Sequence, residues 1–265
     1  MYLTDYHLHT RRSPDGFESI EAMCERAIEL GFDEIAITDH LDLVTHSVYT
    51  VDFDAAAAHE DITRAQEKFA GRLHIMRGVE IGQPQANPKE YRRYMDTYSH
   101  DFIIGSIHNL KNDADVYYFN YRELDCNKIY DQYVQEMLEL ARDYDFDVMG
   151  HLTYPLRYMY RDGKMVDLTR WEGEFRQLFR ILVQSGRGIE VNTSGLRQEI
   201  GQTLPPLYLL KLYKECDGEI ITLGSDAHKC KDLGYGIREG RELLKEAGFT
   251  HFTVFEQRKI HFLPL

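Results

Sequence analysis

His7 and His9 stand one residue apart in Asp5-Tyr6-His7-Leu8-His9-Thr10, at the end of the first stretch that reads as a β-strand. Side chains alternate faces along a strand, so the two imidazoles share a face, about 7 Å apart, while Leu8 points the other way. Two imidazoles so placed can converge on one metal ion. The chain then repeats one event: an apolar stretch ends and a ligand-type residue follows. Asp15 lies in the turn after the first strand, and His40 follows residues 34–38. Glu80 follows 73–79, His108 follows 102–107 and His151 follows 147–150. Asp226 and His228 follow 219–223. A single histidine in such a place is commonly a packed or capped residue, and an Asp before a turn is an ordinary helix cap. Six histidines and three carboxylates, all at strand ends, form a pattern that chance placement does not explain.

Imidazole and carboxylate ligands without thiolate suit borderline divalent ions such as Zn²⁺, Mn²⁺ or Fe²⁺. Nine ligands exceed what one ion or two would use, whereas three ions sharing a bridging carboxylate fit. Three such ions bring about +6, and Asp15, Glu80 and Asp226 bring about −3, which leaves about +3 with neutral histidines. A dianionic phosphate is the natural guest for that charge. A hydroxide bridging two of the ions is the expected nucleophile on phosphorus.

The elements that must position these residues read as βα units. Helical spacing over 20–30, with Ser19 before it and Gly31 after it, predicts the first helix. Further helices are predicted around 54–69 and over 88–98, 128–144, 169–185, 205–216 and 239–247, with strands between them and a seventh strand at 188–191 ending in Asn192. Residues 109–124 and 152–167 read as loops, and 252–255 with 260–263 as a terminal extension. Short strands buried on both sides and alternating with helices imply a parallel sheet. An open sheet binds at one or two switch points, whereas only a closed barrel brings every strand's C-terminal end to one mouth. The pattern therefore predicts a (β/α)7 barrel in one domain, residues 1–265. His46, His59, His74, His100, His251 and His261 fall on helices, strand starts or the tail and are assigned to the surface.

Bulk composition narrows the function classes. A net charge of −13 argues against nucleic acid as the main partner, which needs basic patches. With 43% hydrophobic residues but no apolar run near the ~20 needed to cross a bilayer, no membrane partner is expected. Met1-Tyr2-Leu3-Thr4-Asp5 shows no basic region followed by an apolar stretch, so no secretory signal is expected. Cys24, Cys126, Cys216 and Cys230 are scattered and read as free thiols in a reducing cytoplasm.

His-Leu-His-Thr at 7–10, Thr38-Asp39-His40, Gly78-Val79-Glu80, Gly105-Ser106-Ile107-His108, Gly150-His151 and Gly224-Ser225-Asp226-Ala227-His228 together closely resemble the polymerase and histidinol phosphatase (PHP) superfamily. Within it the chain looks like the stand-alone histidinol-phosphate phosphatases, over essentially its full length. The resemblance implies a distorted, TIM-barrel-like (β/α)7 barrel with its metal site at the C-terminal ends of the strands. It implies hydrolysis of L-histidinol phosphate, a small phosphate monoester, by a cytoplasmic enzyme, with Glu80, Asp226 and His228 in catalytic roles. By motif, His7, His9, Glu80 and Asp226 would take one ion. Glu80, His108 and His151 would take a second, and Asp15, His40 and His228 a third. Some relatives have His where this chain has Asp15.

Phosphate also calls for positive side chains, and Arg157, Arg161 and Arg197 lie in the segments that follow the strands at 147–150 and 188–191. Their planar forks match phosphate oxygens in pairs. The run from Glu190 to Arg197 resembles the family's substrate-facing segment, which places Asn192 and Arg197 at the substrate. The tyrosines from Tyr117 to Tyr121 suit the wall of an imidazole-sized pocket and equally suit packing within their own loop. Three other readings compete. One is a PHP phosphoesterase for a different small ester. Another is an amidohydrolase-like barrel cleaving C–N bonds, against which Asp15, His40, Glu80 and the arginines speak. The last is a binding module without turnover, against which the full ligand set speaks.

Overall fold

The computed structural model describes residues 1–44, 53–111 and 114–265; His46 lies outside them. Seven strands form a parallel path in the order β1 (Thr4–Leu8), β2 (Glu34–Ile37), β4 (His74–Gly82), β5 (Phe102–Ser106), β6 (Val148–Met149), β7 (Gly188–Asn192) and β8 (Ile221–Gly224). The ring closes where β1 meets the end of β8. Leu8 and Ala227 form a parallel bridge, the His9 N–H donates to the Ala227 carbonyl (2.9 Å), and the Asp226 N–H donates to that of His7 (2.8 Å). The predicted barrel of seven strands is therefore present, joined at its seam by a single bridge.

An unforeseen strand, β3 (His40–Asp42), extends the sheet between the predicted strand at 34–38 and the predicted helix around 54–69. It pairs with β4 in the register His40 to Glu80, above the point where β2 stops. Between them Asp39 turns out of the ladder. Its carboxylate accepts from the Thr10 N–H (2.6 Å), the Thr10 hydroxyl (2.8 Å) and the Ser13 hydroxyl (2.7 Å).

The helices follow their strands: α1 (Ile20–Leu30), α2 (Ala55–Lys68), α3 (Pro88–Thr97), α4 (Cys126–Asp143), α5 (Pro155–Arg161), α6 (Glu172–Gln184), α7 (Leu207–Glu215) and α8 (Ile237–Glu246). Local chemistry sets their ends. The Ala22 N–H donates to Ser19 Oγ at the start of α1, and Gly31 closes it at φ 76°. Asn87 caps α3 with Pro88 in its first turn. The α5 helix replaces part of the predicted loop over 152–167. Proline at its start and the buried Leu156 and Met159 sustain it, while the surrounding Arg and Tyr residues obscure that short period. Among the described residues no helix is long and apolar enough to cross a membrane.

The terminal extension is an antiparallel hairpin, β9 (His251–Glu256) and β10 (Lys259–Pro264), laid across the N-terminal end of the barrel. Phe255 packs on Phe102 (ring centroids 5.0 Å apart), and its N–H donates to the Tyr6 hydroxyl (2.8 Å). Arg258 reaches Asp147 (3.0 Å) and Asp145 (2.6 Å). With that end plugged, the mouth is at the C-terminal ends of the strands.

One surface assignment is corrected. His100 is buried between α3 and β5, stacked on Tyr94 (5.3 Å) and edge-on to His59 (5.1 Å). Its helix-end position in the sequence does not reveal that packing. Burial first, and then the neighbouring His59 and Arg77, lower its pKa to about 3 from an ordinary 6.5. Between these values the unfolded chain binds a proton that the folded chain refuses, so stability falls as the pH drops below 6.5. The slope is at most about 1.4 kcal/mol per pH unit from this one group. Replacing His100 with Phe, which keeps the stack on Tyr94, is expected to flatten the dependence of unfolding free energy on pH between about 4 and 6. Urea titrations of the two metal-loaded proteins at several pH values test this; identical slopes would contradict it.

Candidate metal centre

Burying a carboxylate without a counter-charge is costly, and Glu80, at the end of β4, is fully buried. Imidazoles surround it. Its Oε1 lies 2.8 Å from His151 Nε2 and 3.2 Å from His108 Nε2. Its Oε2 lies 2.9 Å from His40 Nδ1, 3.2 Å from His7 Nε2 and 3.6 Å from His9 Nε2. Burial works to raise this carboxyl's pKa, but His7, His108 and His40 hold it well below the usual range. Asp226 faces the same cluster, its Oδ1 3.5 Å from His9 Nε2 and 3.9 Å from His7 Nε2. His9 stacks between His40 (4.2 Å) and His228 (4.0 Å), and burial followed by those two neighbours keeps it neutral, its pKa well below 6.5. Asp15, on an exposed turn, reaches His228 Nε2 at 3.1 Å and His40 Nε2 at 3.7 Å. All nine predicted ligands therefore meet at the mouth.

The outer ring nitrogens show why these imidazoles face inward. His7 Nδ1 donates to Glu190 Oε1 (2.7 Å), His108 Nδ1 to Asp42 Oδ1 (2.9 Å) and His228 Nδ1 to the Asp226 carbonyl (3.1 Å). His9 Nδ1 donates to Ser13 Oγ (3.0 Å), whose own proton is committed to Asp39. Each of these bonds leaves an Nε2 lone pair aimed at the centre. Gly224 makes room for one of them: a Cβ there would lie 2.2 Å from Glu190 Oε1 and 2.4 Å from His7 Cβ.

The inner atoms are arranged so that they could hold metal ions. His7 Nε2, His9 Nε2, His40 Nδ1, Glu80 Oε2 and His228 Nε2 are buried and make no hydrogen bond. His108 Nε2 and His151 Nε2 face each other at 3.2 Å. Four overlapping groups have their ligand atoms within 4.8 Å of one another: His9, His40 and His228; His7, His9 and Asp226; His7, Glu80 and His151; His40, Glu80 and His108. Converging lone pairs on borderline donors fit divalent cations.

The expected substrate residues divide. Arg157, on α5, is buried beside the centre, with Nη2 3.5 Å from Asp226 Oδ2 and its Nε and Nη2 without hydrogen bonds. Arg161, one turn on, is turned away: it donates to the Tyr117 and Phe119 carbonyls (3.1 and 3.2 Å) and pairs with Asp162. Asn192 is buried under the site, donating to Glu190 (3.2 Å) and Asp226 (3.3 Å). Arg197 lines the cavity but donates to the Ser225 and Asp226 carbonyls. Tyr117 and Tyr118 line it too, with Tyr154, Tyr158 and Asp115, whereas Tyr121 is buried and donates to the Val116 carbonyl. Sequence reasoning passed over Asp5, Ser13, Asp42 and Glu190. Asp5 and Glu190 carried a usable signal, since each sits two residues from a singled-out residue and so on the same strand face.

With this geometry in place, likeness to known proteins decides the family. The PHP domain model matches residues 5–194. The chain belongs to the PHP domain family. Among its relatives, the histidinol-phosphatase of Lactococcus lactis subsp. lactis is 26% identical over 261 residues, covering 97% of this chain and 95% of the relative. A probable histidinol-phosphatase of Thermotoga maritima is 26% identical, covering 95% of each. The crystal structure of the Lactococcus lactis histidinol phosphate phosphatase, complexed with zinc, L-histidinol and phosphate, superposes with a TM-score of 0.88 at 27% identity, covering 98% of both chains.

A PHP centre oriented by hydrogen bonds should weaken when one of them is softened. Glu190→Gln leaves the shape but exchanges the carboxylate behind His7 for a neutral amide. Metal affinity, measured by competition with a chromophoric chelator, is expected to fall ~10- to 100-fold. Parental affinity in the variant would remove Glu190 from the centre's support.

Proposed function

We propose that this protein is a metal-dependent phosphomonoesterase that hydrolyses L-histidinol phosphate to L-histidinol and phosphate. The observation that carries the reading is the buried guanidinium of Arg157, whose Nε and Nη2 make no hydrogen bond, beside nine converging ligands and lining a cavity of ≈ 450 Å³. Likeness over nearly the full chain to a zinc-bound relative holding L-histidinol and phosphate supports it.

We read the nine ligands His7, His9, Asp15, His40, Glu80, His108, His151, Asp226 and His228 as holding three divalent ions, Zn, Mn or Fe, with Glu80 as bridge. Such ions supply Lewis acidity to the phosphoryl oxygens and a nucleophile at neutral pH. Within this reading Arg157 forks the phosphate. It is held over the Tyr154 ring (4.6 Å), so its plane is set before substrate arrives. The Asp226 carboxylate takes the proton of the attacking water as the new P–O bond forms. As the ester P–O bond breaks, that proton goes to the leaving alkoxide. Glu80 keeps the imidazoles around it in place, and His228 stands at the cavity wall beside Asp15. Histidinol carries an ammonium and an imidazole. Asp115 suits the first, and the Tyr117, Tyr118 and Tyr154 rings suit the second. We also read residues 1–265 as one domain, since one buried apolar cluster runs from Leu3 to Phe255. We place it in the cytoplasm, in keeping with its four free cysteines.

The metal-replete protein, assayed against a panel of phosphate monoesters, is expected to prefer histidinol phosphate and to lose turnover on chelation. Preference for another ester would replace the substrate but keep the chemistry. Arg157→Ala removes an ionic hydrogen-bond partner from a desolvated site, a loss of about 2–4 kcal/mol. That is a ~30- to 1000-fold fall in kcat/KM. Metal content should stay at the parental level. A variant with native kcat/KM would take the phosphate contact away from Arg157.

A further inference from the structure

The turn after β8 delivers two ligands on one short loop, and its backbone is unusual. Asp226 sits at φ 55°, a left-handed conformation that a residue with a Cβ adopts at a cost. Something must hold it there. On the amide side the Ser225 N–H donates to Asp5 Oδ1 (2.8 Å), and the Asp226 N–H donates to the His7 carbonyl (2.8 Å). On the carbonyl side the holder is Arg197. One terminal nitrogen donates to the Ser225 carbonyl and the other to that of Asp226 (2.7 Å). The same Asp226 carbonyl accepts from His228 Nδ1 (3.1 Å), the bond that leaves His228 Nε2 pointing inward. These two carbonyls are the hydrogen-bond partners of the Arg197 guanidinium.

We propose that Arg197 is a positioning residue whose fork clamps the Ser225 and Asp226 carbonyls, so that the Asp226 carboxylate and the His228 imidazole are presented together to the metal ions. This rests on the metal reading above and departs from the phosphate-contact role that the family resemblance implies. A phosphate ligand should have free donors, as Arg157 does. Arg197 has both ends of its fork engaged on backbone.

The two roles separate by what Arg197→Ala loses. Clamping predicts that affinity for the most weakly held divalent ion falls ~10- to 100-fold by chelator competition, and that excess metal restores most of the turnover. Inhibition by inorganic phosphate, measured at saturating metal, should stay within about threefold of the parent. Arg197→Lys should recover part of the metal affinity, because an ammonium reaches one carbonyl but has no planar fork. It also serves as the folded variant if the alanine form does not fold. Parental metal affinity in both variants, with phosphate inhibition weakened tenfold or more, would overturn the clamp and make Arg197 a phosphate ligand. A parent chain that takes up no divalent ion would overturn the metal reading itself, and the clamp with it.

Discussion

The structure turns on a carboxylate shut off from bulk solvent. Glu80 is fully buried, and both its oxygens face ring nitrogens rather than backbone amides, apart from the Ser106 hydroxyl that donates to Oε1 (2.7 Å). A buried anion of this kind is tolerable only among compensating positive charge. Without metal, the compensation falls to protons on His7, His40 and His108, whose pKa values the surrounding carboxylates raise against the effect of burial. Divalent ions would replace those protons and satisfy more lone pairs at once. The support around the site follows from the same need. Glu190, Asp42, Ser13 and the Asp226 carbonyl each take an outer N–H so that an inner lone pair is left over.

How far this was legible in the sequence depended on whether a residue's task was local. The strand ends were readable because ligand types followed apolar runs, and the closed ring followed from their number. The β3 strand was not readable: three residues with a His and an Asp in them give no apolar signal, and only the neighbouring β4 edge makes them a strand. His100 was misassigned for a related reason, since its burial comes from Tyr94 and His59 on other elements. Arg161 and Arg157 could not be told apart in sequence. They lie four residues apart on a helix that reads as a loop, and their environments diverge within one turn.

The plugged end of the barrel fixes the traffic through it. The hairpin of β9 and β10 covers one opening with Phe255 and Arg258. Substrate, product alcohol and phosphate therefore share the other, past Tyr117, Tyr118 and Arg157.

The bridge between Leu8 and Ala227 has a consequence in time as well as in space. The ligands of the centre come from both ends of the barrel sequence: His7 and His9 leave the ribosome well before Asp226 and His228, which follow more than two hundred positions later. During synthesis the early imidazoles wait without the partners that complete their environment. The full nest of donors exists only once β8 has docked against β1, so a complete centre requires the closed ring.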